Sequence, residues 1–356
     1  MWKRTGIFIF LTLILTTSVK ATINNDILVA KAYLKQLLSD ELSKGARAAG
    51  SKEEKQAAQY LAAEFKRFGL KVEQQNFDVT KRKKHYKSSN IIAEIDAKSE
   101  QTLIIGAHYD SAGKRAGSTG ATDNATSVSV LLALASSLKS NPKLKFNIRF
   151  IAFGAEEVGK LGSAFYAKTL AKDPLATENI IGMINLDTIV GGDNLYVHSA
   201  NSKPYRCNGL SNIKYSSDSS LREAIRQVSV NVLGKNDGYL IHPKNEQYNQ
   251  GETGSYSDHT YFACIGLPVA HIEATNFDIN GLHGYDGYSQ SIEPKLWDCF
   301  DVEKNTACDR KKETKWGKIW HTEFDQLKKL ESLFPSRVHQ QLEKHIKVLR
   351  AYILQP

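Results

Sequence analysis

Residues Gln101 to His108 contain the unbroken apolar stretch Leu103-Ile104-Ile105 and end on an imidazole. A strand that is apolar at successive positions has both faces covered, which requires a sheet enclosed between layers of helix. The remaining chain supplies such layers. Apolar residues recur at helical spacing from Asn24 to Leu38 and from Glu53 to Phe68, where Gly69 ends the run. Leu70 to Phe77 alternates as an edge strand does, and Asn90 to Ile95 follows the basic turn at Lys81 to Lys84. Beyond the central strand come a buried helix (Val128 to Leu138), a strand (Phe146 to Phe153), a helix (Leu161 to Leu170) and a strand (Ile180 to Asp187). Ser219 to Leu233 reads as a helix, Leu267 to Ile272 as a strand, and Leu327 to Ile353 as a long closing helix that Pro335 breaks or restarts. Strands alternating with helices predict an α/β fold: a mostly parallel central β-sheet flanked by helices on both faces. No internal repeat or linker interrupts the pattern, so residues 22–356 read as one domain, with 22–80 packed on it.

The amino terminus has a different character. Lys3 and Arg4 precede the apolar run Ile7 to Leu15, then Thr16 to Ser18 and Val19-Lys20-Ala21, the layout of a secretory signal peptide covering residues 1–21. Its apolar core is far shorter than the roughly 20 residues of a spanning helix, and no later stretch reaches that length. The protein is therefore expected to be exported, periplasmic or secreted, with no integral membrane segment after cleavage. An oxidising compartment permits disulfides between Cys207, Cys264, Cys299 and Cys308. Four cysteines allow three pairings; Cys299 and Cys308 close a short polar loop, leaving Cys207 with Cys264.

The net charge of +9 raises the question of nucleic acid. Its densest runs, Lys81 to Lys84 and Arg310 to Lys312, are short and lack interleaved aromatic residues, so no nucleic-acid surface is expected.

In doubly covered sheets the working residues lie beyond the carboxyl ends of the strands. Four such segments carry acids or imidazoles: His108-Tyr109-Asp110, Thr122-Asp123-Asn124, Ala155-Glu156-Glu157 and Asn185-Leu186-Asp187. So many carboxylates are buried together only around something positive, and divalent metal is the economical answer. His108 and Asp110, two apart on a strand, share a face, which lets Asp110 hold the second ring nitrogen of His108. Oxygen and nitrogen donors without thiolate suit an open, catalytic zinc site. Asp123 can bridge two metals, and neighbouring Glu156 and Glu157 divide between proton transfer and metal binding.

The ordered set His108-x-Asp110, Gly120-x-x-Asp123-Asn124, Glu156-Glu157, Asn185-x-Asp187 and His321-Thr322-x-x-Asp325 resembles the co-catalytic di-zinc aminopeptidases related to aminopeptidase Y. Within that family the run Asn185 to Tyr196, Glu273-Ala274-Thr275-Asn276-Phe277 and Gly284-Tyr285-Asp286-Gly287-Tyr288 are similar to the bacterial alkaline phosphatase isozyme-conversion aminopeptidases. The resemblance runs from about Asn90 to the carboxyl terminus. It implies two zinc ions per chain, His108 and Asp187 on one, Glu157 and His321 on the other, and Asp123 between them. Two divalent ions against three carboxylates and a bridging hydroxide leave such a site neutral. Glu156 is implied as the general base, with Asp110 assisting, in hydrolysis that releases the first residue of peptide or protein N-termini.

The subgroup implies removal of Arg or Lys, for which Glu273, Asp278 and Asp286 offer an acidic side-chain pocket. Tyr256 is a candidate donor to the developing oxyanion. His259, in Ser257-Asp258-His259, is taken as a non-ligand, His271 as a core histidine, and His198, His242 and His283 have no partner spacing. The chain lacks a Gly-x-Ser-x-Gly elbow and a His-Glu-x-x-His helix, which argues against serine hydrolases and thermolysin-like endopeptidases. The alternatives are a carboxypeptidase or glutaminyl cyclase on the same scaffold, and a metal-free binding protein such as a receptor ectodomain.

Overall fold

The doubly buried strand lies at the middle of an eight-stranded sheet in a computed structural model of the chain, which describes residues 24–42, 46–113, 117–139, 141, 143–210 and 214–354. The signal expected at 1–21 lies outside the described residues. Helix α1 (24–37) is followed by α2 (Lys52–Arg67), which Ser51 caps by accepting from the Glu54 amide, with acids in its first turn and Lys66 and Arg67 in its last. A hairpin of β1 (Lys71–Lys81) and β2 (Lys84–Ile95) turns at Arg82 and Lys83, part of the expected basic turn. Then come β3 (Thr102–His108), α3 (Thr126–Leu138), β4 (Asn147–Phe153), α4 (Leu161–Leu170), α5 (Pro174–Glu178), β5 (Ile180–Leu186) and β6 (Asn194–Ala200). The chain continues through α6 (Ser220–Leu233), β7 (Glu252–Thr253), α7 (His259–Cys264), β8 (Val269–Thr275), a small hairpin of β9 (Phe300–Asp301) and β10 (Thr306–Ala307), α8 (Leu327–Leu333) and α9 (Arg337–Leu354). The helix break predicted at Pro335 falls between α8 and α9.

The sheet order is β1-β2-β4-β3-β5-β8-β6-β7. The four central strands β4, β3, β5 and β8 are parallel, as expected, while β2 and β6 run antiparallel to the strands that flank this centre. Leu103, Ile105 and Ala107 face one layer, built from α1, α2, α3, α6 and α9; Ile104 faces the other, with Tyr166 and Ala167 of α4 and Phe262 of α7. Strand β6 gave no alternation in the sequence. It pairs antiparallel with β8 and is buried at six of its seven positions.

Both expected disulfides are present, Cys207–Cys264 with Cα atoms 5.5 Å apart and Cys299–Cys308 at 5.4 Å. The first closes the longer loop and constrains the unfolded chain more, by about 4 kcal/mol against about 3. Thiol titration of denatured, unreduced protein is expected to find no free thiol; more than one would reject this pairing. Among the described residues no helix is long and apolar enough to cross a membrane.

Candidate metal centre and its cavity

The parallel strands end on one edge of the sheet, and the acids predicted there converge. His108 closes β3, Glu156 and Glu157 follow β4, and Asp187 follows β5. Asp123 precedes α3 in a distorted turn that includes a cis peptide to Asn124. His108 Nε2 lies 3.2 Å from Asp123 Oδ1 and 3.4 Å from Asp187 Oδ1. On the other side of Asp123, His321 Nε2 lies 3.2 Å from Asp123 Oδ2 and 2.7 Å from Glu157 Oε2. The donors thus form two groups, His108–Asp123–Asp187 and Asp123–Glu157–His321, in each of which one atom per residue lies within 4.8 Å of the others. Asp123 belongs to both.

Several contacts hold this geometry. Asp325 accepts from the Thr122 amide at 2.6 Å and from Ser118 Oγ at 2.7 Å, and Asn124 Nδ2 donates to the Leu186 carbonyl at 2.9 Å, so the Asp123 turn is tied to the β5 end. Gly120, at φ 67, opens that turn; a Cβ there would stand 2.7 Å from the Asp123 carbonyl oxygen. Ala155 (φ 54), Thr188 (φ 49) and His321 (φ 58) are left-handed non-glycine residues within or beside donor positions. Strain of this kind persists where surrounding structure over-determines it.

Asp110 does something beyond the expected orientation of His108. His108 Nδ1 is 3.2 Å from the Asp110 carbonyl and 3.5 Å from its carboxylate. The carboxylate instead takes the Glu156 amide at 2.9 Å and the Glu157 amide at 3.1 Å. One residue thereby links the imidazole of β3 to the turn after β4.

The electrostatics call for a cation. Burial, and then the Asp123 charge, pushes the Glu157 carboxyl up to about 7, and burial pushes Glu156 well above the usual carboxylate range. Burial alone would raise Asp123 also, but hydrogen bonds from His108 and His321 hold it well down. His321 is driven the other way, up to about 10 against its desolvation, by Asp123 and Glu157. Glu157 Oε1 is buried with no hydrogen-bond partner. Paired carboxylate and imidazole donors with a spare buried oxygen fit zinc, which takes oxygen and nitrogen ligands of this type.

The groups open into a cavity of about 500 Å³. His321, 36% exposed, is the outermost donor and lines the cavity, whereas His108 is 1% exposed and lies behind Asp123 and Asp187, which do line it. Glu156, Glu273, Asp286 and Tyr256 all line the cavity; Asp278 lines a neighbouring one instead. Tyr256 is 66% exposed and pairs its hydroxyl with Tyr248, which places it at the rim. Phe277, from the run beginning at Glu273, also lines the cavity, as do Glu252 and Trp320, which were not singled out in the sequence because nothing in their spacing marks them. His271 is buried as expected, accepts from Asn185 Nδ2 at 3.0 Å, and reaches the cavity wall. His259 is fully buried and 2.9 Å from the Gly254 carbonyl, away from both donor groups. His198 and His242, without partners in sequence, meet in space: His198 Nε2 is 2.8 Å from Glu273, and the His242 ring stacks on Phe277.

A covered sheet with paired metal-donor groups beyond its parallel strand ends is the architecture of a metal-dependent enzyme. The family model "Peptidase family M28" matches residues 90–344, and the chain belongs to this family. It is 31% identical over 261 residues to the alkaline phosphatase isozyme conversion protein of Escherichia coli strain K12, covering 67% of this chain and 70% of that protein. Its fold is similar to that of BSAP, a zinc aminopeptidase from Bacillus subtilis, with a TM-score of 0.61 at 18% identity, covering 93% of this chain and 95% of that one. It is also similar to Porphyromonas gingivalis glutaminyl cyclase, with a TM-score of 0.60 at 18% identity over 92% and 97% of the two chains.

Proposed function

We propose that the protein is an exported di-zinc aminopeptidase that removes N-terminal residues, with preference for Arg or Lys, and that residues 22–356 form its single peptidase domain. The observation that carries this reading is Asp123, shared by two three-donor groups with Glu156 beside them at a cavity wall. His108 and Asp187 would hold one zinc and Glu157 and His321 the other, with Asp123 available to both. Bound there, zinc lowers the pKa of water and polarises the scissile carbonyl. Glu156 accepts the proton of the attacking water and returns it to the departing amine. Asp110 keeps Glu156 and Glu157 in register through their amides. The exposed rim, with Tyr256, receives the rest of the peptide.

Side-chain preference rests on Glu252, Glu273 and Asp286, the cavity's acids beyond the metal-site group, with no Lys or Arg among its lining residues. Burial pushes the Glu273 carboxyl up, so a cationic substrate side chain favours its charged form. A charge-assisted hydrogen bond of this kind contributes about 1.5–3 kcal/mol. Glu273→Gln is therefore expected to reduce kcat/KM on arginyl amide by roughly ten- to a hundredfold while leaving leucyl amide within about threefold. A panel of arginyl, lysyl, leucyl and glutaminyl amides read on the parent enzyme tests the whole assignment. Faster leucyl cleavage discards the basic preference, and cyclisation of the glutaminyl substrate in place of hydrolysis establishes the cyclase reading that the fold also accommodates.

A further inference from the structure

The family match begins at residue 90, yet two of the most buried charged side chains near the metal centre come from before it. Glu54, on α2, is 2% exposed. Its Oε1 accepts from Ser88 Oγ at 2.6 Å and from the Ala155 amide at 3.0 Å, and its Oε2 from the Gly50 amide at 2.6 Å. Glu54 and Asp110 together therefore take the amides of three consecutive residues, Ala155, Glu156 and Glu157, in a turn whose first residue is left-handed. Arg47 is fully buried and donates to the carbonyls of Tyr109 at 2.8 Å, Gly120 at 3.0 Å and Thr119 at 3.3 Å. Its own amide and carbonyl pair with Ser111. One guanidinium thus joins the loop after His108 to the loop before Asp123.

We infer that the segment 46–54 is a working part of the active site, in which Arg47 and Glu54 are positioning residues: Arg47 sets the spacing of the His108 and Asp123 loops, and Glu54 sets the turn that presents Glu156. A carboxylate with two acceptor oxygens suits three donors, whereas an amide would turn an N–H toward one of them. The inference rests on the role proposed for Glu156. In the zinc-loaded full chain, Glu54→Gln is expected to lower kcat at least tenfold with KM changed less than twofold and zinc content unchanged. Phe65→Leu thins the buried face of the same helix, outside this segment and without touching the carboxylate; it is expected to lower Tm and leave kcat unaltered. Ser88→Ala, which removes one donor from Glu54, is expected to lower kcat about threefold and serves if Glu54→Gln does not fold. Arg47→Lys, unable to reach three carbonyls, is expected to weaken zinc binding at least tenfold by calorimetric titration of the metal-free protein. The inference is overturned if Glu54→Gln or Ser88→Ala keeps parental kcat, if Phe65→Leu loses as much kcat as Glu54→Gln, or if Arg47→Lys binds zinc as the parent does. Failure of the Glu156 assignment is a separate outcome, read from Glu156→Gln alone.

Discussion

Glu156→Gln is expected to lower kcat on the order of 10²–10⁴-fold, the usual contribution of a positioned general base, while the protein keeps its zinc. The carboxyl stands in the cavity wall beside the donor groups, and its main chain is fixed by Asp110. Gln preserves the size and the fold of the turn but cannot take a proton from water. Aminoacyl-amide hydrolysis paired with elemental analysis reads both halves of the expectation. Activity within tenfold of the parent would falsify the base assignment, and loss of zinc would show that Glu156 is a ligand instead.

The second large effect concerns the shared carboxylate. Asp123→Ala is expected to lose both zinc ions and all measurable activity, whereas Asp187→Ala and Glu157→Ala each lose one ion. The reason is geometric: Asp123 Oδ1 faces His108 and Oδ2 faces His321, so its removal opens both groups at once. Removing the metal from the parent with a chelator should act on stability as well. A ligand at a thousand times its Kd stabilises by about 4 kcal/mol, which for a chain of this size corresponds to a Tm fall on the order of 10 °C on removal, reversed by added zinc. Metal counts by elemental analysis and a thermal melt check both. An Asp123→Ala protein that still binds two ions removes the shared-ligand geometry from consideration.

The elements of the fold differ in how legible they are in the sequence. The strands and helices that pack apolar faces against one another announced themselves through periodicity, because burial is what writes that periodicity. Leu103-Ile104-Ile105, the stripe of α2 and the break at Pro335 all appeared where expected. Strand β6 did not, since its place follows from backbone pairing and its sequence shows no period of its own. Glu54 does leave a trace in the sequence. It lies at helical spacing with Ala57, Ala58 and Leu61, a carboxylate on the buried stripe of α2, and such a residue must find donors inside the protein. Arg47 left none, because its three acceptors are carbonyls more than 60 residues away along the chain.

The order of residue types along the chain determined the fold class and marked His108, Asp123, Glu156, Glu157 and Asp187 beyond strand ends, because each is recorded in local pattern, whereas His321 entered only through the family resemblance and the disulfide partners stayed open among three pairings. Only the tertiary structure decided that Asp110 binds the turn amides more closely than it binds His108, that Asp278 lies outside the cavity while Glu252 lies within it, and that the segment before residue 90 reaches the centre. These are distances of a few ångströms between side chains and carbonyls brought together by sheet order, and sheet order is a property of the folded chain that no local window contains.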